Sequence, residues 1–94
     1  MRMISSFKDK DTQSLYETGK SRRFAAVLRV ALRKLDMIAA ATQVETLRVP
    51  PGNRLEKLSG DREGQWSIRI NDQWRVCFKW IGMNAEEVEI CDYH

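Results

Sequence analysis

The side chains best suited to chemistry in this 94-residue sequence fall into two groups. The first is a set of cations spaced for a sheet. Arg75 and Lys79 lie on one side of an alternating segment, Arg69 faces the same way on the segment before it, and Arg54, Lys57 and Arg62 lead into both. Convergent cations on a rigid sheet suit phosphate, because the planar fork of arginine matches two phosphate oxygens. The same residues also read as a solvated strand face, with Arg69 and Lys79 paired to Glu87 or Glu89 across strands. The second group is Asp92-Tyr93-His94, which follows the last strand-like segment. An imidazole is the natural general acid or base near neutral pH. A carboxylate and a phenol beside it add a second acceptor and a donor. The competing reading is a frayed, exposed terminus.

Composition narrows the chemistry. A single His excludes any scheme that needs two imidazoles within one chain. The two Cys, at 77 and 91, lack zinc-site spacing and make no disulfide framework. We therefore expect no metal and no cofactor. Cys77 and Cys91 are spaced to face each other across a hairpin, and in a reducing compartment they are expected as free thiols. With 43% hydrophobic and 31% charged residues, the chain reads as one globular domain spanning 1–94. Apolar runs such as 24–28 fall far short of the roughly 20 residues a membrane span needs. The N-terminal stretch turns charged early. A soluble, cytoplasmic protein with no membrane partner is expected.

The net charge of +3 conceals an asymmetry. Residues 1–49 carry ten Lys/Arg against five Asp/Glu, whereas residues 50–94 carry six against eight. Lys20, Arg22, Arg23, Arg29 and Arg33 form a basic surface in the first half. It suits a polyanion through counterion release, or is simply solvated.

These groups need elements to position them. Residues 3–6 are a candidate short first strand. Ser6 or Asp9 caps a helix to about Glu17, and Gly19 sits where a C′ glycine belongs. Ser21 is a candidate N-cap for a second helix. Phe24, Leu28, Ala31, Leu35 and Ile38 are spaced by four, three, four and three, one face of a helix. Pro50-Pro51-Gly52-Asn53 marks a loop, and residues 54–58 a short strand. Alternation then runs through Trp66, Ile68 and Ile70, through Trp74, Val76, Phe78 and Trp80, and through Val88 and Ile90, with short polar connections. That pattern predicts an antiparallel meander. The fold class is α+β: two N-terminal helices packed on one face of a four- to five-stranded antiparallel sheet. The three Trp belong to the apolar face, as core. The opposite face carries Ser67, Arg69, Arg75, Cys77, Lys79, Glu87 and Glu89.

The stretch GDREGQWSIRINDQWRVCFKW (60–80) followed by EICDYH (89–94) resembles the HigB-type, RelE-like toxins of bacterial toxin–antitoxin modules. ISSFKDK (4–10), GKSRRF (19–24) and LRVPPGNRLEKLSGDR (47–62) fit the same group, so the resemblance covers nearly the whole chain. The PPGNRLE form is similar to the GraT-like branch.

The resemblance implies a RelE-like microbial RNase fold and a ribosome-dependent mRNA endonuclease that cuts in the A site without a metal. The RNA 2′-OH attacks the adjacent phosphorus, leaving a cyclic phosphate and a free 5′-OH. It also implies a helix-turn-helix, HigA-like antitoxin as partner, with operator DNA contacted only through that antitoxin. At matching motif positions it supports Arg75, Asp92, Tyr93 and His94 as catalytic residues. Arg54, Glu56, Lys57, Arg62, Arg69 and Lys79 are the candidate RNA-binding set. Arg75 is assigned to the developing phosphorane charge. His94 or Asp92 serves as acid or base, and Tyr93 donates a proton or orients the phosphate. Some relatives read H-x-L-K-G-D-R before the loop, where this chain has Glu56 and Ser59. A slower toxin is therefore expected, and a binding module acting mainly through its antitoxin is the alternative.

Overall fold

The computed structural model of the chain describes residues 4–92. Asp9 opens helix α1 (Lys10–Thr18): its Oδ2 accepts from the Thr12 amide at 3.0 Å. Of the two candidate caps it is therefore Asp9 that acts, satisfying one of the orphan donors of the first turn. Gly19 ends the helix in the left-handed region at φ 73°, and its N–H donates to the Leu15 carbonyl.

The second helix starts later than its sequence suggests. Ser21 does bond the Phe24 amide, Oγ accepting at 3.0 Å. The chain then passes through a single 3₁₀ turn (Ala25–Val27) before α2 (Leu28–Ala40) begins. Phe24 before the turn and Val27 at its end are both buried. The predicted stripe holds: Phe24, Ala31, Leu35 and Ile38 are buried, with Leu28 half-buried at its margin.

After two further 3₁₀ turns (Val44–Arg48 and Pro51–Asn53), the chain enters a sheet. Its strands are β1 (Glu56–Lys57), β2 (Gln65–Arg69), β3 (Trp74–Ile81) and β4 (Asn84–Asp92). They follow one another in antiparallel order. The β2–β3 turn is set by Asn71, whose Oδ1 accepts from the amides of Gln73 and Trp74, both at 2.8 Å. Gly82, at φ 64°, supplies the left-handed residue of the β3–β4 turn. A bulge interrupts the β3–β4 register between Cys77 and Lys79, with Glu87 at φ 51° on the facing strand.

Residues 54–58 shorten to the two-residue β1. The segment expected as a first strand instead forms two isolated parallel bridges to β4, Ile4 with Ala85 and Phe7 with Val88. Ser5 and Lys8 donate to the carbonyls of Ala85 and Val88, at 2.8 and 3.0 Å. This lining closes an edge that would otherwise be open to pairing. α1 is tied in as well: the buried Thr12 hydroxyl accepts from the Ile90 amide at 3.0 Å.

The core lies between helices and sheet. Leu15, Leu35 and Ile38 meet Ile68, Val76, Phe78 and Val88, all fully buried. Trp66, Trp74 and Trp80 pack against it half-buried, and Phe24 meets Trp74 edge-on at 5.4 Å between centroids. The tryptophans are thus core, as expected. Among the described residues, no helix is long and apolar enough to cross a membrane.

Candidate functional site

The sheet face away from the helices was expected to be solvated. Its centre is not. Ser67, Arg75 and Cys77 are buried there, Arg75 at 4% exposure. Arg75 is a buried charged residue near the start of β3, and charge so placed has to be hydrogen-bonded. Its Nε donates to Ser67 Oγ at 2.8 Å, and one terminal nitrogen donates to the Arg54 carbonyl at 2.7 Å. The Glu56 carboxylate stands 4.0 Å away at the mouth, half in solvent.

A second cation comes from the 3₁₀ turn Gly60–Arg62. Arg62 donates from one nitrogen to Glu89 Oε1 at 2.8 Å and to Gln65 Oε1 at 3.1 Å. Lys8 approaches the same Glu89 oxygen at 3.6 Å. Burial pushes the Glu89 carboxyl up, but hydrogen bonds from Arg62 and Cys91 and the charges of Arg62 and Lys8 outweigh it. The net effect holds Glu89 below the usual carboxylate range. Arg62 is raised, first by that hydrogen bond. Cys77 and Cys91 contact each other beside this pair as free thiols. Hydrogen bonding between them pulls Cys77 down and, with burial, pushes Cys91 up.

The structure therefore brings Arg75, Glu56, Arg62 and Glu89 to one face. The other predicted residues either turn away from this face or lie on it with other partners, Arg69 standing opposite Arg75 in register. Lys57 pairs in register with Trp66 and holds its Nζ 5.8 Å from that ring, on the helix-bearing side. Alternation on a two-residue strand puts Glu56 and Lys57 on opposite faces. Arg69 bonds to Asp72 in its own turn rather than to Glu87 or Glu89. Lys79 pairs with Glu87 at 2.7 Å, at the bulged end. Arg54 contributes its carbonyl inward while its side chain is exposed.

Asp92 lies opposite Trp74, one residue beyond Cys91, which is itself opposite Arg75. The pleat sets Asp92 on the Trp74 side, where its Oδ2 accepts from Gln73 at 3.3 Å. Tyr93 and His94 lie outside the described residues. Of the basic set, Lys20, Arg22 and Arg23 lie in the connection after α1 and Arg29 and Arg33 on α2, and all are exposed. Arg23 pairs with Asp11 at 3.2 Å and stacks over Phe24.

Two contributors were not singled out from sequence. Ser67 appeared only as a polar residue of the open face, and Glu89 only as a pairing partner. The signal was available in their positions: by alternation both stand on the Arg75 side of strands flanking β3.

A family model described as the RelE-like toxin of the type II toxin–antitoxin system HigB matches residues 5–94. Toxin HigB-1 of Vibrio cholerae is 41% identical over 81 residues, covering 84% of this chain and 85% of that protein. Endoribonuclease HigB of Proteus vulgaris is 38% identical over 94 residues, covering 98% of this chain and all of that one. Among solved structures, a chain of the YoeB–YefM complex from Staphylococcus aureus shares the fold with a TM-score of 0.56 at 16% identity, over 97% of both chains.

Proposed function

The chain belongs to the HigB family of RelE-like toxins of type II toxin–antitoxin systems, and from that premise we propose that it is an endoribonuclease that cuts mRNA in the ribosomal A site. The observation that carries this is the buried Arg75, held by Ser67 on the sheet face away from the helices, in a chain related end to end to a protein named an endoribonuclease.

The reaction needs three services: removal of the 2′ proton, stabilisation of a pentacovalent phosphorane, and protonation of the leaving 5′ oxygen. Arg75 serves the second, as a preorganised donor set aimed at developing negative charge. Arg62 binds the RNA backbone, exchanging Glu89 for a phosphate oxygen. Glu56 accepts a proton or orients Arg75. Asp92, Tyr93 and His94 divide the acid–base work. A small set of candidate catalytic groups with a single imidazole leaves substrate positioning to something larger, which favours mRNA held by the ribosome over free RNA. The exposed cations Arg22, in the connection after α1, and Arg29 and Arg33, on α2, suit ribosomal RNA there. The working compartment is the cytoplasm, and the partner in the resting cell is a HigA-like antitoxin that alone contacts operator DNA.

The test is cleavage of a defined mRNA on programmed ribosomes by the purified protein. Fragments ending in a 2′,3′-cyclic phosphate and a 5′-OH, at the A-site codon and absent without ribosomes, are the expected result. Intact mRNA, with tight antitoxin binding retained, would replace the enzyme by a binding module.

A further inference from the structure

We infer that Ser67 and the main-chain carbonyl of Arg54 form a socket that fixes the plane of the Arg75 guanidinium, so that Ser67 is a positioning residue for the phosphate-binding group. The inference deepens the nuclease reading and rests on it for its kinetic consequence, but the socket itself is a separate, measurable thing.

Ser67 is fully buried at the middle of β2, a strand position where a β-branched or aromatic residue would pack better. Its hydroxyl accepts from Arg75 Nε at 2.8 Å, and the Ser67 carbonyl lies 3.4 Å from the terminal nitrogen. The second wall is built at a conformational cost. Arg54 sits at φ 47°, ψ 56°, a left-handed conformation that disfavours a non-glycine residue by about 1–2 kcal/mol. It is held there by its N–H to the Pro51 carbonyl at 3.1 Å, and its own carbonyl lies 2.7 Å from Arg75. Acceptors on a neighbouring strand and on a loop thus grip two nitrogens of one guanidinium from different directions. A free arginine side chain carries about 2 kcal/mol of rotamer entropy. Here that freedom is surrendered on folding, before any phosphate arrives, which is what a preorganised electrostatic group requires.

Ser67→Ala removes the hydroxyl without adding volume, and Ser67→Thr keeps it. The first readout is the Arg75 Nε–H resonance in ¹⁵N-labelled protein, assigned by its absence from Arg75→Lys. We expect it protected from solvent exchange in the parent and in Ser67→Thr, and rapidly exchanging in Ser67→Ala. The second is steady-state cleavage of ribosome-bound mRNA. Ser67→Ala should lose about tenfold in kcat with KM within twofold, the pattern of an interaction that acts on the transition state, and Ser67→Thr should recover most of it. An Arg75 Nε–H equally protected in Ser67→Ala overturns the socket. So does a kcat unchanged by that variant in a protein that cleaves. If the parent cleaves nothing, the nuclease reading fails, and the exchange measurement still decides whether Ser67 fixes Arg75.

Discussion

Arg62 of the loop before β2 reaches over β3 to Glu89 of β4, its guanidinium 2.8 Å from the carboxylate. The ion pair spans the face that holds Arg75, and it pins the Gly60–Arg62 turn to the far strand. Its contribution to stability has a definite pH sign. The folded-state value of Glu89 is depressed, so the stabilisation is present above the unfolded carboxyl value of about 4.3. It is lost as pH falls from there through the lowered folded value. Glu89→Gln should remove about 0.5–1 kcal/mol near neutral pH, the usual size for a pair this exposed, and flatten the acid limb of a denaturation profile between pH 5 and 3. An unchanged acid limb would mean that the pair contributes nothing to folding.

Arg75→Lys retains a charge but loses the fork, so it cannot satisfy both Ser67 and the Arg54 carbonyl. Its rate of mRNA cleavage should fall by about 10²–10³, the cost of removing one preorganised donor to a developing oxyanion. Arg75→Ala should fall at least as far. Single-turnover cleavage on programmed ribosomes measures both, with circular dichroism checking that each variant is folded.

Asn53 anchors the loop that delivers the Arg54 carbonyl. It is fully buried; its Nδ2 donates to the Leu47 carbonyl at 3.1 Å and its Oδ1 accepts from Lys34 at 2.5 Å. Asn53→Ala leaves that carbonyl without its partner and should cost about 1–3 kcal/mol, read as a shift of the urea midpoint at constant slope. Because Arg54 follows immediately, cleavage should slow as well.

Asn53 also shows where the sequence stops being legible. Cap residues marked the first helix, helical spacing the second, and alternation the three long strands and the burial of the tryptophans, since caps and periodicity are local signals. A buried asparagine in a Pro-Gly loop has no such period; its partners Lys34 and Leu47 are identified only once α2 and the loop are packed. The same holds for Ser67, whose role depends on a cross-strand neighbour. Lys57 is the opposite case. Its grouping with Arg75 rested on charge alone, and a strand of two residues beside Trp66 turns it to the other side. The β4 edge could not be read either, because Ile4 and Phe7 pair with residues about eighty positions away.

Ser59 precedes the Gly60–Arg62 turn and is exposed. In relatives reading H-x-L-K-G-D-R this position is a lysine. Ser59→Lys adds one cation at the base of the Arg62 loop, within a Debye length of any phosphate that Arg62 binds. Cleavage by this variant should be faster at sub-saturating mRNA, with the gain shrinking as salt rises. Equal rates at low salt would show that the position lies off the path of the RNA.

His94 carries the only imidazole of the chain, and on the proposed mechanism it or Asp92 moves a proton at the reacting phosphate. Positioned acid–base help is worth about 10²–10⁴ in rate, so His94→Gln and deletion of His94 should slow cleavage by that order without abolishing it, because Arg75 would still stabilise the phosphorane. The pH dependence separates the candidates. If the imidazole titrates in the reaction, the parent rate has an inflection between about pH 6 and 7, near the unperturbed imidazole value, and His94→Gln loses it. Asp92→Asn tests the other group: Asp92 lies opposite Trp74, with its carboxylate on Gln73, so it reaches the substrate only if that contact is exchanged. An inflection that survives in His94→Gln and disappears in Asp92→Asn would transfer the acid–base role from imidazole to carboxylate.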